Sequence, residues 1–524
     1  MEVLLKNVTV IDGTGAPAYQ GSIGFEHGKL RIFREQGPAV TAETVVDGTG
    51  LTACPGFIDA HSHGDLNILS DYATASKITQ GITTQVAGQC GYSMFPCNYS
   101  DAASYERYIA GVSTHPDFPQ DVSVTCRSAG PWLDWVHGSG SPLTTFPLVG
   151  HGALRLWAMG YEQRKPDATE LKRMKDMLRQ CMREGAIGLS TGLVYAPCCY
   201  AEDDEIISLL EVVREEGGYY ATHPRNEADY TVEAVQGSID TAKAAGVPLC
   251  ISHLKAAGRD NWGKPHIILE NIRKAREQDG MRIMMDCYPY MAGNTALNVS
   301  IPPRYFKHGL SGLVEALKDP VEREVIREEI SRKSDYENYI LNCGGFSGVY
   351  VSSSPIDHSA EGKFIDAYAK ELGIDPFDAY CDILIKNGGL SLAIYFHMCE
   401  DDVAEILSDP WCAVGTDGLL GLPTENPHPR TFGTMPRAFH FLTDEKHLMT
   451  PEAAIHKITG LPAEFLRLPG KGKLVDGYDA DVLLIDMAGF RDTSSYAHGS
   501  SRAEGIIKVY TGGQEVDLER YRKA

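Results

Sequence analysis

Two histidines one residue apart, His61 and His63, close the stretch Pro55-Gly56-Phe57-Ile58-Asp59-Ala60-His61-Ser62-His63. An apolar run of this kind reads as a β-strand, on which alternate side chains share a face, so both imidazoles are directed to one spot while Ser62 points away. Two neutral imidazoles side by side are half of a metal site. Other apolar runs also end on chemically capable residues: Cys90 after Val86-Ala87-Gly88-Gln89, His223 after Tyr220-Ala221-Thr222, His253 after Ile251-Ser252, and Asp417 after Val414-Gly415-Thr416. Imidazoles, a thiol and a carboxylate together suit zinc, which takes nitrogen, sulfur and oxygen donors and in catalytic sites keeps a position open for water. Calcium and magnesium want oxygen ligands instead.

For these residues to meet, the chain must bring distant segments to one end of a common sheet. From about residue 61 to 420, short β-like segments alternate with helix-like ones, and eight candidate strands end near His63, Cys90, His151, Thr191, His223, His253, Tyr288 and Asp417. Between them, Leu171, Met174, Leu178 and Cys181 recur at helical spacing, and further amphipathic segments run over 203–216 and 266–278. Reactive residues at the carboxyl ends of eight strands predict an α/β fold, a (β/α)8 TIM-like barrel, with a doubly wound open sheet as the rival. Residues 1–55 read as β-hairpins, and 465–524 supplies further strands, so the termini are expected to pair into a small β-sandwich domain. Thr450-Pro451 marks a helix start and Gly460 its stop. The barrel spans 56–464, and the stretch between its seventh and eighth strands is far longer than an ordinary connection, which predicts an inserted helical lid over 291–410.

A formal net charge of −22 over 524 residues disfavours nucleic acid and anionic membrane surfaces as partners. No basic segment followed by an apolar run opens the chain, and the odd number of cysteines, 13, without a regular framework suits a reducing compartment, so the cytoplasm is the expected location. The oligomeric state is left open.

The Pro-Gly-Phe-Ile-Asp-x-His-x-His start, the strand-end histidines His223 and His253, and Gly415-Thr416-Asp417-Gly418 resemble the metal-dependent amidohydrolase superfamily. Within it, Gly88-Gln89-Cys90-Gly91-Tyr92-Ser93, Gly188-Leu189-Ser190-Thr191-Gly192-Leu193, Ser252-His253-Leu254-Lys255 and His428-Pro429-Arg430-Thr431-Phe432-Gly433-Thr434 resemble the N-acyl-D-amino-acid deacylases, or D-aminoacylases. The resemblance implies that Cys90 takes the place a carbamylated lysine fills in hydantoinases, and residues 188–197 contain no lysine. It further implies that Cys90, His223 and His253 hold a tight zinc, that His61, His63 and Asp417 line a weaker second position, and that Asp417 is the catalytic base. Arg430 and Tyr288, with Lys255 beside them, are implied to bind the carboxylate of a small-molecule substrate. The implied reaction is zinc-dependent hydrolysis of an N-acyl-D-amino acid to a carboxylic acid and a free D-amino acid. The alternatives are an amidohydrolase acting on a dipeptide or cyclic amide, or a non-catalytic scaffold of the same fold. Gly64 before Asp65, and Cys198-Cys199 after Pro197, depart from the family pattern where acyl or side-chain preference is set.

Overall fold

The computed structural model describes residues 1–34, 41–97, 102–111, 113, 116–420 and 422–524. Eight parallel strands carry the site: β1 (Phe57–Asp59), β2 (Ile82–Ala87), β3 (Thr144–Pro147, resuming at Val149–Gly150), β4 (Gly188–Gly192), β5 (Tyr219–His223), β6 (Leu249–Ile251), β7 (Ile283–Cys287) and β8 (Cys412–Val414). They form two parallel ladders rather than one. β1, β2 and the first part of β3 make a three-stranded sheet, and the second part of β3 opens a six-stranded sheet that ends at β8.

Both interruptions have local causes. Within β3 the break falls at Leu148, after Pro147, which has no N–H to give to a ladder; Leu148 N still donates to Ala87 O at 2.8 Å. Between β1 and β8, Ala60 N donates to Val414 O at 3.3 Å, but the next N–H is claimed by a side chain. Asp59 Oδ1 accepts from Thr416 N and its Oδ2 from Thr416 Oγ1, both at 2.7 Å.

Along the strands, side chains alternate between two buried layers. Ile58, Val86, Leu148, Ala221, Cys250, Met284 and Ala413 share one cluster, to which Leu461, Phe465 and Leu466 of the helix Gly460–Leu466 are added. Their neighbours Phe57, Val149, Leu189, Tyr220, Leu249, Ile283 and Met285 belong to the larger cluster that packs against the surrounding helices. The helix Ala168–Arg183 shows how the sequence sets those helices. Asp167 and Glu170 form a capping box at its start, and Met174, Leu178, Cys181 and Met182 are its buried stripe. Helices Asp203–Glu215 and Pro265–Asp279 bury a similar apolar stripe, without a side-chain cap at their starts. Near the end of the chain, Thr450 caps the helix Pro451–Lys457. Gly460 is not its stop, as expected from sequence, but the first residue of the next helix: the approach of Gly13 O, where a Cβ on Gly460 would lie 2.1 Å away, requires glycine there.

The termini do pair. Strands Val482–Ile485, Ile506–Thr511 and Gln514–Glu515 join Thr52–Pro55 and the amino-terminal strands Val3–Val10, Tyr19–Glu26 and Lys29–Phe33 in one eight-stranded sheet. It forks at Val3–Val10, whose first half pairs with Thr44–Asp47 and second half with Thr52–Pro55.

The segment between β7 and β8 differs from the helical expectation. Besides the helices Gly309–Lys318, Pro320–Ile330, Ile365–Leu372 and Pro376–Lys386, it contains a three-stranded antiparallel sheet of Gly293–Ala296, Val349–Ser353 and Leu392–Tyr395. Val349-Tyr350-Val351 and Leu392-Ala393-Ile394-Tyr395 are β-branched and aromatic runs suited to a pleated surface. These elements enclose a core of their own, with Leu313, Ile326, Val351, Tyr380 and Tyr395. The next helix, Glu400–Ser408, packs against Pro265–Asp279, β7 and β8, so it belongs with the parallel strands.

Candidate metal centre

Every sequence-derived donor lies at the carboxyl ends of the parallel strands, and all are buried. β1 stops at Asp59, so His61 and His63 sit in the loop beyond it, their ring centroids 5.5 Å apart. His61 Nε2 lies 3.4 Å from Cys90 Sγ and 3.6 Å from Asp417 Oδ1. Cys90 Sγ is 3.3 Å from His253 Nε2, which is 3.0 Å from His223 Nδ1. His63 Nε2 is 3.3 Å from Asp417 Oδ1. The ligating atoms fall into overlapping groups within 4.8 Å of one another: His61, Cys90 and His253; His61, His63 and Asp417; and His223, Glu227 and His253.

Three of these residues have left-handed backbones, Cys90 at φ 53°, His253 at φ 35° and Asp417 at φ 47°. Each such residue costs on the order of 1 kcal/mol or more against an extended or helical backbone. Glycine would relieve the strain and remove the donor, so the side chains are what this backbone serves.

The electrostatics fit a cation. Burial, above all, holds His223 and His253 well below the ordinary imidazole value, neutral with a lone pair to offer. Burial also pushes the Cys90 thiol up to about 11, offset in part by His61, so the sulfur becomes a thiolate ligand only when a cation displaces its proton. For Asp417 burial acts upward, but the Arg430 charge, aided by a hydrogen bond with His63, holds its carboxyl well below the usual range. It is therefore ionised and free to accept a proton. Converging imidazole nitrogens, a sulfur and a carboxylate suit zinc better than calcium or magnesium.

Residues that the sequence did not mark out hold these donors. Asp286, on β7, lies 3.2 Å from His61 Nδ1 through Oδ1 and 3.3 Å through Oδ2, and accepts from His253 N at 2.8 Å. Its carboxylate thereby turns His61 Nε2 toward the cage. Glu227, four residues after His223, reaches His223 Nε2 at 3.4 Å, His253 Nδ1 at 3.0 Å and Lys255 Nζ at 2.7 Å. The spacing of four was the available signal for Glu227; for Asp286 it was strand alternation with Tyr288. Deeper still, Lys77 Nζ bridges Asp59 Oδ2 at 2.8 Å and Thr416 Oγ1 at 2.9 Å.

The cage opens on a cavity whose wall includes Tyr195, Lys255, Tyr288, Asn294, His397 and Arg430. Arg430 is fully buried; its Nη1 is 2.8 Å from Asp417 Oδ2, and its Nη2 donates to Asn294 O at 2.9 Å. The Asp417 contact is an ion pair without hydrogen-bond alignment, and Nε and Nη1 make no hydrogen bond among the described residues. The guanidinium carbon lies 4.6 Å from the Tyr288 ring centroid, and Lys255 Nζ 5.9 Å from it. The expected substrate-binding trio thus faces one cavity. His151 does not belong to this cluster: its Nε2 pairs with Glu205 Oε1 at 2.8 Å, and Arg155 Nη1 with Glu205 Oε2 at 2.5 Å.

Known proteins place this arrangement. No family model matches the chain. It is 31% identical to a D-aminoacylase of Alcaligenes xylosoxydans xylosoxydans, over 99% of this chain and 95% of that one. It is also 31% identical to an N-acyl-D-aspartate deacylase of the same organism, over 99% of this chain and 93% of the other. Among solved structures it superposes with a TM-score of 0.82 and 29% identity on the N-acyl-D-glutamate deacylase of Bordetella bronchiseptica, a complex with zinc and a phosphonate inhibitor that mimics the tetrahedral intermediate; 99% of this chain and 96% of that one are covered. The fold is that of the amidohydrolases, with mixed α/β content. Within them, the chain belongs to the D-aminoacylase, or N-acyl-D-amino-acid deacylase, family.

Proposed function

We propose that this protein hydrolyses the amide bond of N-acyl-D-amino acids, releasing a carboxylic acid and a free D-amino acid. The observation that carries the reading is the convergence of His61, His63, Cys90, His223, His253 and Asp417 beside a buried guanidinium whose Nε and Nη1 make no hydrogen bond among the described residues, Nη1 being ion-paired with Asp417. Cys90, His223 and His253 would hold a tight zinc, and His61, His63 and Asp417 a second, weaker position. Bound there, the metal supplies Lewis acidity and makes a water acidic enough to act as nucleophile near neutral pH.

The remaining steps fall to side chains. Arg430, Lys255 and Tyr288 take the substrate carboxylate, Arg430 through the unbonded N–H groups of its planar fork. That anchors the scissile amide over the cage and lets the α-carboxylate displace part of the contact between Arg430 and Asp417. Asp417, ionised and 3.3 Å from His63, takes a proton from the attacking water and returns it to the departing nitrogen. In support of the architecture this needs, the shared inner cluster of strand side chains favours a closed (β/α)8 barrel. We divide the chain into a terminal β domain, that barrel, and an inserted subdomain between β7 and β8 that shapes the cavity. All 13 cysteines are free, which favours the cytoplasm.

Purified protein assayed on paired N-acetyl-D- and N-acetyl-L-amino acids, with metal analysis, tests the reading. Release from the D partner with zinc bound is expected, and faster release from the L partner overturns the stereochemistry. In Asp417→Asn, turnover should fall by about 10²–10⁴ with the tight metal retained; near-normal turnover excludes Asp417 as the base.

A further inference from the structure

His397 stands apart in the cavity wall. It is 2% exposed, and neither ring nitrogen has a hydrogen-bond partner among the described residues. Such a group is costly to leave unpaired, on the order of a tenfold or larger population effect, unless something the protein binds completes it. The ring is not loose. His397 O accepts from Gly258 N at 2.7 Å and Trp262 Nε1 at 3.2 Å, and the rings of Tyr339 and Tyr395 lie 5.8 and 6.3 Å from its own. It borders both the metal cavity and an open groove whose lining includes Asn226, Asn261, Asn338 and Asn342 and the charged Arg259 and Lys333.

Position says which part of a ligand it meets. A Cβ added to Gly293 would lie 3.1 Å from His397 Nε2 and 3.5 Å from Tyr288 Oη, so the imidazole borders the carboxylate-binding trio. In an N-acyl-D-amino acid the α-carboxylate and the side chain leave the same carbon, whereas the acyl group lies across the scissile bond, toward the cage. A side chain leaving that carbon on the groove side passes His397, with the groove open beyond it.

Charge narrows the class. The cations among the described residues lining the cavity are Lys255 and Arg430, and each already has a carboxylate partner, Glu227 at 2.7 Å and Asp417 at 2.8 Å. With both assigned to the α-carboxylate, the cations left are Arg259 and Lys333 of the groove, both exposed and Lys333 paired with Asp229 at 2.8 Å, so none within the buried cavity remains for an acidic side chain. Burial, helped by Lys255, drops His397 to about 3, so the ring is neutral and offers one donor and one acceptor.

Resting on the deacylase reading above, we propose that His397 is a specificity-determining residue that reads a neutral, hydrogen-bonding side chain, a carboxamide or hydroxyl, in preference to an apolar or acidic one. The test compares kcat/KM for N-acetyl-D-asparagine, its near-isostere N-acetyl-D-leucine, and N-acetyl-D-aspartate, in wild type, His397→Leu and His397→Gln. Wild type is expected to favour asparagine over both, and the asparagine-to-leucine ratio should fall roughly tenfold or more in His397→Leu and largely survive in His397→Gln. Because the ratio is taken within one protein preparation, partial misfolding cancels. A wild type that favours leucine or aspartate overturns the proposal whatever the variants do, as does a ratio unchanged in His397→Leu. Absence of turnover on every N-acetyl-D-amino acid overturns the deacylase reading itself.

Discussion

Replacing Lys77 by Met should loosen the seam between β1 and β8 and, through it, the position of Asp417. Lys77 lies on the helix Asp71–Ile78 and is 3% exposed; Asp59 is fully buried. The ammonium sits 2.8 Å from Asp59 Oδ2, and the same carboxylate holds Thr416 N and Oγ1 at 2.7 Å each and His61 N at 3.3 Å. Removing one partner of a buried pair costs about 3–5 kcal/mol, since the remaining charge stays in a medium that solvates it poorly. Here Thr416 and His61 still donate to Asp59, which places the expected loss near the lower end, about 3 kcal/mol. Neutralising both members in Lys77→Met/Asp59→Asn removes the stranded charge while the amide oxygen still accepts from Thr416 N. A double-mutant cycle should therefore show a coupling of about 2 kcal/mol in favour of the double variant. The assay is denaturant unfolding followed by tryptophan fluorescence at neutral pH, with kcat recorded on each variant. Because Thr416 precedes Asp417, kcat should fall in Lys77→Met and recover partly in the double variant. Additive losses, or an unchanged midpoint in Lys77→Met, would refute the reasoning.

Asp286→Asn keeps an acceptor for His253 N but removes the carboxylate that orients His61. Metal affinity, measured by chelator competition, should weaken about 10–100-fold, and an unchanged affinity would show that Asp286 serves folding alone. His151 gives a stability change with pH. Burial acts downward on it, but Cys198 and Glu205 outweigh burial and raise it from 6.5 to about 9. A raised imidazole stabilises fully below its unfolded value and loses that contribution as pH climbs through its folded value, so the unfolding midpoint should decline from pH 6.5 to beyond 9. The shift caps the effect at about 3 kcal/mol, and His151→Gln should flatten the decline over that window. An equal decline in the variant would assign it to other groups.

What could be read in the sequence was whatever strand geometry alone determines. His61, His63, Cys90, His223, His253 and Asp417 each follow an apolar run, so their place at a strand end was legible before any contact was known. Asp286 was legible in principle, because it shares a strand face with Tyr288, which was singled out. Lys77, Asp59 and Thr416 were not: their meaning is a bond between a helix, the first strand and the last, 18 and 339 residues apart along the chain. The sheet in the insertion was hidden for a different reason. Its strands are short and far apart, and the helices between them dominate any periodicity, so Val349-Tyr350-Val351 and Leu392-Ala393-Ile394-Tyr395 gave a weaker signal than their surroundings.

The same distinction explains why the backbone strain escaped notice. Little in the composition around Cys90 or His253 announces a left-handed conformation, which in a sequence is ordinarily flagged by glycine, asparagine or aspartate; Asp417 before Gly418 alone carries such a signal. Yet all three strained residues are donors of the cage, and they come from β2, β6 and β8, strands with no common turn chemistry. A shared turn motif therefore does not account for the coincidence; a shared demand does. Each strand must turn its last side chain inward at an angle the pleat does not supply, and the surrounding contacts, among them the His253 N to Asp286 and Asp417 N to His61 O hydrogen bonds, over-determine the backbone enough to hold it there. The fold's stability is thus spent where the donors converge, which is why weakening Asp286 or the Lys77 clamp is expected to act on the cage before it acts on the fold.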